Sequence, residues 1–296
     1  MDNTLNKDAM LRISLMGGQA RAFLIDSTHM VENARQIHSL SRTATAALGR
    51  VLTGASIMGA MLKNEQDSLT LMFKGGGPIG TVMAVAKSDA SVKGYVDWPD
   101  LELERRKDGK LNVGGAVGKN GQLTVIKDLG MREPYIGRTN LVSGEIAEDL
   151  AMYFTASEQT PSLVSLGVLV KDSVITAGGL IIQIMPDCTE IALKSIEMST
   201  PMFMDISKTI ADYGIDGSLT QLLCHLEPEV IDRVQPVYRC DCSRERFSRG
   251  LISLGREELT QIIEEDHGAT LDCHFCNKRY RYDEAQLREL LASAKR

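Results

Sequence analysis

The sequence predicts an α+β fold: a large N-terminal domain of mixed sheet and helix over residues 1–186, a helical linker over 187–236, and a small C-terminal domain over 237–296. Three observations carry this expectation. Helical and strand-like stretches alternate unevenly, unlike the regular βαβ order of a parallel wound sheet. Pro186 closes the strand-rich block, and Pro228 and Pro236 close a run of short helical patterns. Four of the six cysteines then fall beyond residue 236.

The elements follow in order. From Asp26 to Leu62 the pattern is helical, with Ala44, Ala46, Ala47 and small residues around Gly54 and Gly59 that permit close packing in a core. Strands are expected at Leu69–Phe73, Ile79–Ala86, Val92–Val96 and Leu123–Ile126, separated by Gly and Asp turns. Ser143 precedes an expected helix over 144–156, with Glu145 and Glu148 near its positive end. Leu163–Val170 and Val174–Met185 flank Lys171-Asp172-Ser173 as a hairpin, in which Gly178 and Gly179 mark a bulge or a close approach.

Residues 187–236 read as consecutive short helices. Thr200-Pro201 is an N-cap with proline at the first helical position, and Ser218 to Gln221 reads as a capping box. Leu219, Leu222, Leu223 and Leu226 then form one apolar face with no core of its own, a stripe that must dock on something. The last helix is expected from Asp283 to Ala294.

With 296 residues, 43% hydrophobic and 24% charged, the chain has the composition of an ordinary globular protein with room for a sizeable core. A formal net charge of −6 argues against phosphate backbones or anionic membrane as partners. Met1 to Arg35 offers acidic and polar residues where an export signal needs a basic and then an apolar stretch. The longest apolar runs, Val51–Leu62 and the interrupted Leu163–Met185, fall short of a membrane span of about 20 residues. The expected location is the cytoplasm, where disulfides do not persist, so the thiols need another purpose.

Cys240-Asp-Cys242 and Cys273-His-Phe-Cys276 are two hooks separated by 30 residues, able to bring four sulfurs around one tetrahedral ion. Paired hooks are a strong zinc signal, so the expected metal ligands are Cys240, Cys242, Cys273 and Cys276, holding one Zn2+ per chain. A closed four-thiolate site leaves no position for water, and no enzymatic activity is expected of it. Thiolate preference leaves His274 outside the ligand set, and His267 is read as a surface or supporting residue.

Two readings of the hooks stay open: a structural knuckle and a redox switch. The one-residue spacer of the first hook is unusual for a structural ribbon. Zinc-bound cysteines are nucleophilic thiolates, and Arg239, Arg244, Arg246, Lys278 and Arg279 flank the pairs where they are expected to stabilise negative sulfur. Each pair can close on itself, and a disulfide across a single residue is strained and easily reduced. Structural zinc contributes about 10–16 kcal/mol in small zinc peptides, against about 5–15 kcal/mol for a whole domain. A tail of about 60 residues should therefore unfold when oxidation ejects the metal. Unfolding would spread if the leucine face docks on the tail or is held in place by it.

At these residues the sequence resembles a known family. Val237-Tyr-Arg-Cys-Asp-Cys-Ser-Arg-Glu-Arg246 with Cys273-His-Phe-Cys276 is similar to the redox-regulated 33 kDa chaperonin family, heat-shock protein 33. Ser143 to Ser162 and Ala177 to Gln183 look like that family's N-terminal domain, and the order of parts agrees from end to end. The resemblance implies an ATP-independent holdase that is inactive while reduced and zinc-bound. Oxidants acting with unfolding stress would form disulfides, with pairs Cys240–Cys242 and Cys273–Cys276, and release zinc. Linker and tail would then lose structure and bind unfolding client proteins, with a homodimer as the activated form.

Rival functions are a zinc-ribbon nucleic-acid binder and a thiol–disulfide oxidoreductase. The first is weakened by equal numbers of basic and acidic residues, 11 of each, over 235–296. The second lacks the βαβ context of a redox Cys-x-x-Cys. Gly75 to Gly80 lacks the Lys-Ser/Thr ending of a phosphate loop and reads as a hairpin turn, and Gly114, Gly115 and Gly118 match a dinucleotide fingerprint only loosely. Cys188 and Cys224 are single thiols, with Cys224 expected as a buried small hydrophobe of the leucine helix. His29, His38 and His225 have no companion pattern that makes a catalytic base. Most of the 14 methionines read as core filler, with Met198, Met202 and Met204 available as an adaptable surface.

Overall fold

The structure, a computed structural model, describes residues 8–293. The first seven residues of the segment read against an export signal, and Ala294 at the end of the expected last helix, lie outside the described residues. The chain forms two compact units, one up to Arg239 and one from Cys240. The fold is α+β, as expected from the uneven alternation.

In the first unit the order is β1 (Ala9–Leu15), β2 (Ala20–Asp26), α1 (Thr28–His38), α2 (Arg42–Ala60), β3 (Ser68–Lys74), β4 (Thr81–Lys87) and β5 (Ser91–Val96). There follow α3 (Val113–Val117), β6 (Gln122–Asp128), β7 (Tyr135–Asn140), α4 (Ala147–Ala156), β8 (Ser162–Val170) and β9 (Val174–Ile184). Residues 187–239 add α5 (Glu190–Ser199), α6 (Ile206–Leu223), β10 (Glu229–Val234) and β11 (Val237–Tyr238). One sheet has the order β10-β1-β2-β9-β8 and the other β11-β5-β4-β3-β6-β7.

The helical pattern read from Asp26 to Leu62 is two helices, separated where Ser39 adopts a left-handed conformation. α2 touches strands of both sheets and is buried all round except at Arg42 and Arg50, which is why it is built from Ala, Gly, Thr and Ser. Strand alternation then divides the first sheet between two cores. Met10, Phe23, Ile25 and Ile181 face the α2 core, while Leu11, Ile13, Leu24, Leu180 and Ile182 join a second core beneath α5 and α6.

That second core is where the leucine stripe goes. Leu222, Leu223 and Leu226 are buried in it and Leu219 packs at its edge, so the stripe is covered by the first unit's own sheet and not by the cysteine tail. The segment is also less uniformly helical than expected. β10 pairs antiparallel with β1, since Val230 and Ile231 supply a short extended run on an open sheet edge. The break in α6 falls at Gly214, with φ of 65°, and Ser218 donates to the Gly214 carbonyl at 2.6 Å instead of capping a new helix.

Other local expectations are refined in the same way. The 75–80 segment is the connection between antiparallel β3 and β4, as read. A Cβ on Gly77 would lie 2.3 Å from the Ala116 carbonyl, so this glycine tract serves backbone packing against α3. α4 begins at Ala147, and buried Asp149 in its first turn ties down the loop that enters it, accepting from the N–H groups of Val142 (2.7 Å), Ser143 (3.2 Å) and the N-cap residue Ile146 (3.2 Å). Glu145 instead pairs with Arg50 at 2.6 Å and Arg106 at 3.0 Å. No described helix is long and apolar enough to cross a membrane.

The first unit ends in a strap. β11 runs parallel to β5, buried Tyr238 donates its hydroxyl hydrogen to the Gly94 carbonyl at 2.8 Å, and His38 Nε2 lies 3.0 Å from the Tyr238 hydroxyl oxygen.

The second unit contains α7 (Arg244–Ser253), α8 (Arg256–Asp266), β12 (Gly268–Asp272), β13 (Arg279–Asp283) and α9 (Glu284–Ser293). Among the described residues its hydrophobic core is Leu251, Leu259, Ile263, Tyr282 and Leu287, with Phe247, Ile262 and Tyr280 among the half-buried neighbours.

Candidate metal centre

The first hook is the loop just before α7, whose N-cap Ser243 accepts a hydrogen bond from the Arg246 N–H at 3.3 Å. The second hook is the tip of the β12–β13 hairpin. There the Cys273 N–H donates to the Lys278 carbonyl (2.9 Å), the Cys276 and Asn277 N–H groups donate to the Cys273 carbonyl (3.2 and 2.8 Å), and Asn277 takes the left-handed conformation that closes the turn.

These two loops bring together the four cysteines expected from the spacing. Their sulfurs all lie within 4.8 Å of one another, with Cys240 to Cys273 at 3.7 Å and Cys242 to Cys276 at 3.3 Å. A tetrahedron of sulfurs about 2.3 Å from a central zinc has edges of about 3.8 Å, so the cradle has the dimensions of a tetrathiolate site. Backbone N–H groups of Cys242 and Lys278 point at the sulfurs of Cys240 and Cys276. Such donors stabilise thiolate.

The electrostatics fit the same donor set. Burial pushes the Cys240 and Cys276 thiols up. Burial also opposes ionisation of Cys242, but the Tyr280 hydroxyl 3.1 Å away, together with the neighbouring thiols, brings it down to about 7. Four thiolates this close repel one another, so the cluster ionises fully only around a cation.

Four of the five flanking cations have partners other than sulfur. Arg239 pairs with Asp89, Arg246 with Asp241 at 3.3 Å, and Arg279 with Asp272 at 2.7 Å, while Arg244 lies 4.3 Å from the Tyr282 ring centroid. Asp241, five residues from Arg246, Asp272, seven from Arg279, and Asp89 in the β4–β5 turn win three of these cations. His274 is not among the clustered ligands, and His267 sits exposed with Nδ1 3.2 Å from Glu284. Cys188 and Cys224 lie outside the cluster, and Cys224 is exposed, because it opens a tight turn that rotates it off the leucine stripe. The role of Tyr280 escaped the sequence reading. Its only signal is the alternation Arg279-Tyr-Arg-Tyr282, which puts both tyrosines on one face of β13.

A family model described as Hsp33 protein matches residues 8–283. The chain belongs to the Hsp33 family. Hsp33 relatives include a 33 kDa chaperonin of Clostridioides difficile, 48% identical over 287 residues, covering 96% of this chain and 99% of the relative. Another, from Bacillus cytotoxicus, is 43% identical over 289 residues, with 96% and 99% covered. The solved structure of an Hsp33 homologue from Thermotoga maritima superposes with a TM-score of 0.88 at 35% identity, covering 97% of this chain and 99% of that one. The match thus runs through both units, and the family is one of chaperones.

Proposed function

We propose that this chain is a redox-regulated, ATP-independent holdase of the cytoplasm that binds unfolding proteins and prevents their aggregation. The observation that carries the switch is a four-sulfur cradle of tetrathiolate dimensions in a unit whose hydrophobic core, among the described residues, has five buried members. Zn2+ held by Cys240, Cys242, Cys273 and Cys276 would supply the cross-link that so small a core lacks.

Under oxidation, Cys240 would couple to Cys242 and Cys273 to Cys276. Each pair gives two electrons to one hydrogen peroxide: the S–S bond forms as the O–O bond breaks, and with two protons from solvent the oxygens leave as two water molecules. Disulfide formation removes all four ligands, and with them the ion and the order of residues 237–296. In this reading residues 187–236 are the metastable linker between the domain at 1–186 and the switch, and their release exposes the apolar surface that clients bind. Dimerisation accompanies activation, and neither nucleic acid nor membrane is a partner.

The experiment follows zinc content, free thiols and suppression of a client's thermal aggregation together, before and after peroxide at raised temperature. Loss of one zinc, loss of four thiols and gain of activity should coincide and reverse with reductant. Activity that ignores oxidation, or zinc that stays bound, would leave the cluster a structural knuckle.

A further inference from the structure

At one end of the first sheet, beyond the C-terminus of α2, a cleft of about 500 Å³ opens between β1, β2 and the chain that leaves α2. Arg12 and Arg21 line it from one face of the sheet, because Arg12 stands opposite Phe23 and Arg21 opposite Ser14 in the β1–β2 register. Lys63 adds a third positive charge to the rim.

Each guanidinium is aimed by one anchor. Arg12 Nη2 donates to the Ala60 carbonyl at 2.7 Å, at the negative end of α2, and its guanidinium carbon lies 5.8 Å from the Phe23 ring centroid. Arg21 Nε donates to Gln183 Oε1 at 2.9 Å. A guanidinium has five N–H donors, so most donors of both remain for a ligand.

Among the described residues no carboxylate makes an ion pair with Arg12, Arg21 or Lys63. Glu158, the acid whose charge reaches Arg21, is taken by Lys127, and Asp232, opposite Arg12 on β10, accepts the Arg233 N–H. Partial burial, opposed by Glu158 and reinforced by the charge of Arg12, holds Arg21 below its ordinary value. Two guanidiniums so placed repel each other until an anion joins them. The remaining wall is apolar, with Phe23, Leu62 and Met185.

We propose that this cleft is a binding site for a small phosphate monoester, with the phosphoryl oxygens held between Arg12 and Arg21 and an apolar ester group against Phe23, Leu62 and Met185. Paired guanidiniums present forked donors that match a tetrahedral oxyanion, and the apolar wall selects an ester over the free ion. The site lies within the first unit and uses none of the clustered cysteines.

The test uses the full-length, reduced, metal-loaded protein titrated with phenyl phosphate and with inorganic phosphate at constant ionic strength. Binding is read by calorimetry and by amide shifts of Ser14 and Gly18. Saturable binding of one phenyl phosphate per chain is expected, tighter than inorganic phosphate, and weakened at least about tenfold in Arg21→Gln, the loss of one charge-assisted hydrogen bond. Lys110→Gln, a cation outside the cleft, should bind as the parent does. Arg21 has a single side-chain anchor, so its variant keeps the fold, which the amide spectrum verifies. A response that never saturates, or that Arg21→Gln leaves intact, overturns the site, and equal affinity for the two phosphates overturns the ester assignment.

Discussion

Glu32 on α1 shows how much one carboxylate can hold together. It accepts from Arg35 at 2.8 and 2.7 Å, from Gln36 at 2.7 Å and from the backbone N–H of Val174 at 2.9 Å, tying the helix to the start of β9. The Arg35 hydrogen bonds, working against burial and helped by Val174 and Gln36, bring its pKa down to about 2 from an ordinary 4.5. A depressed carboxyl contributes stability that is fully present above pH 4.5 and lost as the pH falls towards 2. Glu32→Gln should therefore cost about 1–2 kcal/mol at neutral pH, allowing for solvent screening. The gap between variant and parent should close as pH falls through that window. Urea unfolding followed by circular dichroism at pH 7, 4 and 3 checks this, and a gap that stays constant with pH would show that the charge contributes nothing. Legibility at this scale follows from locality. Cysteine hooks are visible because their spacing is covalent, whereas Asp89, which pairs with Arg239, and Val174, which donates to Glu32, stand 150 and 142 residues away in sequence, beyond the reach of any motif.

At the scale of elements, the docking of α6 rests on two glycines. Gly167 on β8 and Gly178 on β9 are paired across the sheet, and together they form the floor on which Ser207 and Ile210 of α6 sit. A Cβ at Gly167 would meet Ser207 Oγ at 2.6 Å, and one at Gly178 would meet Ile210 Cδ1 at 2.3 Å. Gly178 was readable as a point of close approach. Its partner Gly167 was not, and the strand's irregularity falls instead between Leu169 and Val170. Gly167→Ala should push the start of α6 off the sheet at a cost of about 1–3 kcal/mol, the usual range for overpacking. Amide exchange over 206–223 should quicken while β9 stays protected, and equal loss of protection in both would mean that the glycine serves the sheet and not the helix. β1, β2 and β7 went unread for a related reason. Met10 to Leu15 is apolar on both faces except at Arg12 and Ser14, so no clean alternation marks it as a strand until both cores are known. The leucine stripe announced burial, but only the long-range pairing of β1, β2 and β9 decides which surface receives it.

For the whole molecule, the two units differ in what holds them. The first has two extensive cores on either side of one sheet, with Leu, Ile and Phe side chains fully buried from β1 to α6. The second closes around five, and its hairpin and helices meet at Tyr282, whose hydroxyl donates to the Arg244 carbonyl at 2.8 Å while Phe247 and Tyr280 stack at 4.6 Å. A unit below about 60 residues with so small a core needs a staple, and the only candidate among the described residues is the sulfur cluster. Removing the ion and removing the sulfurs should therefore have one result. Chelation under reducing conditions, and separately Cys273→Ser with Cys276→Ser, should abolish amide protection of α8, β12 and β13. The core around α2 should keep its protection in β2, β3 and β9. The reason is additive: a bound zinc would cross-link the second unit by an amount of the order of a domain's whole stability, while the sheets packed on α2 bury enough apolar surface to stand without it. If the metal-free second unit kept its exchange protection, five buried side chains would suffice for its order, and the cysteines could no longer act as the switch for anything upstream.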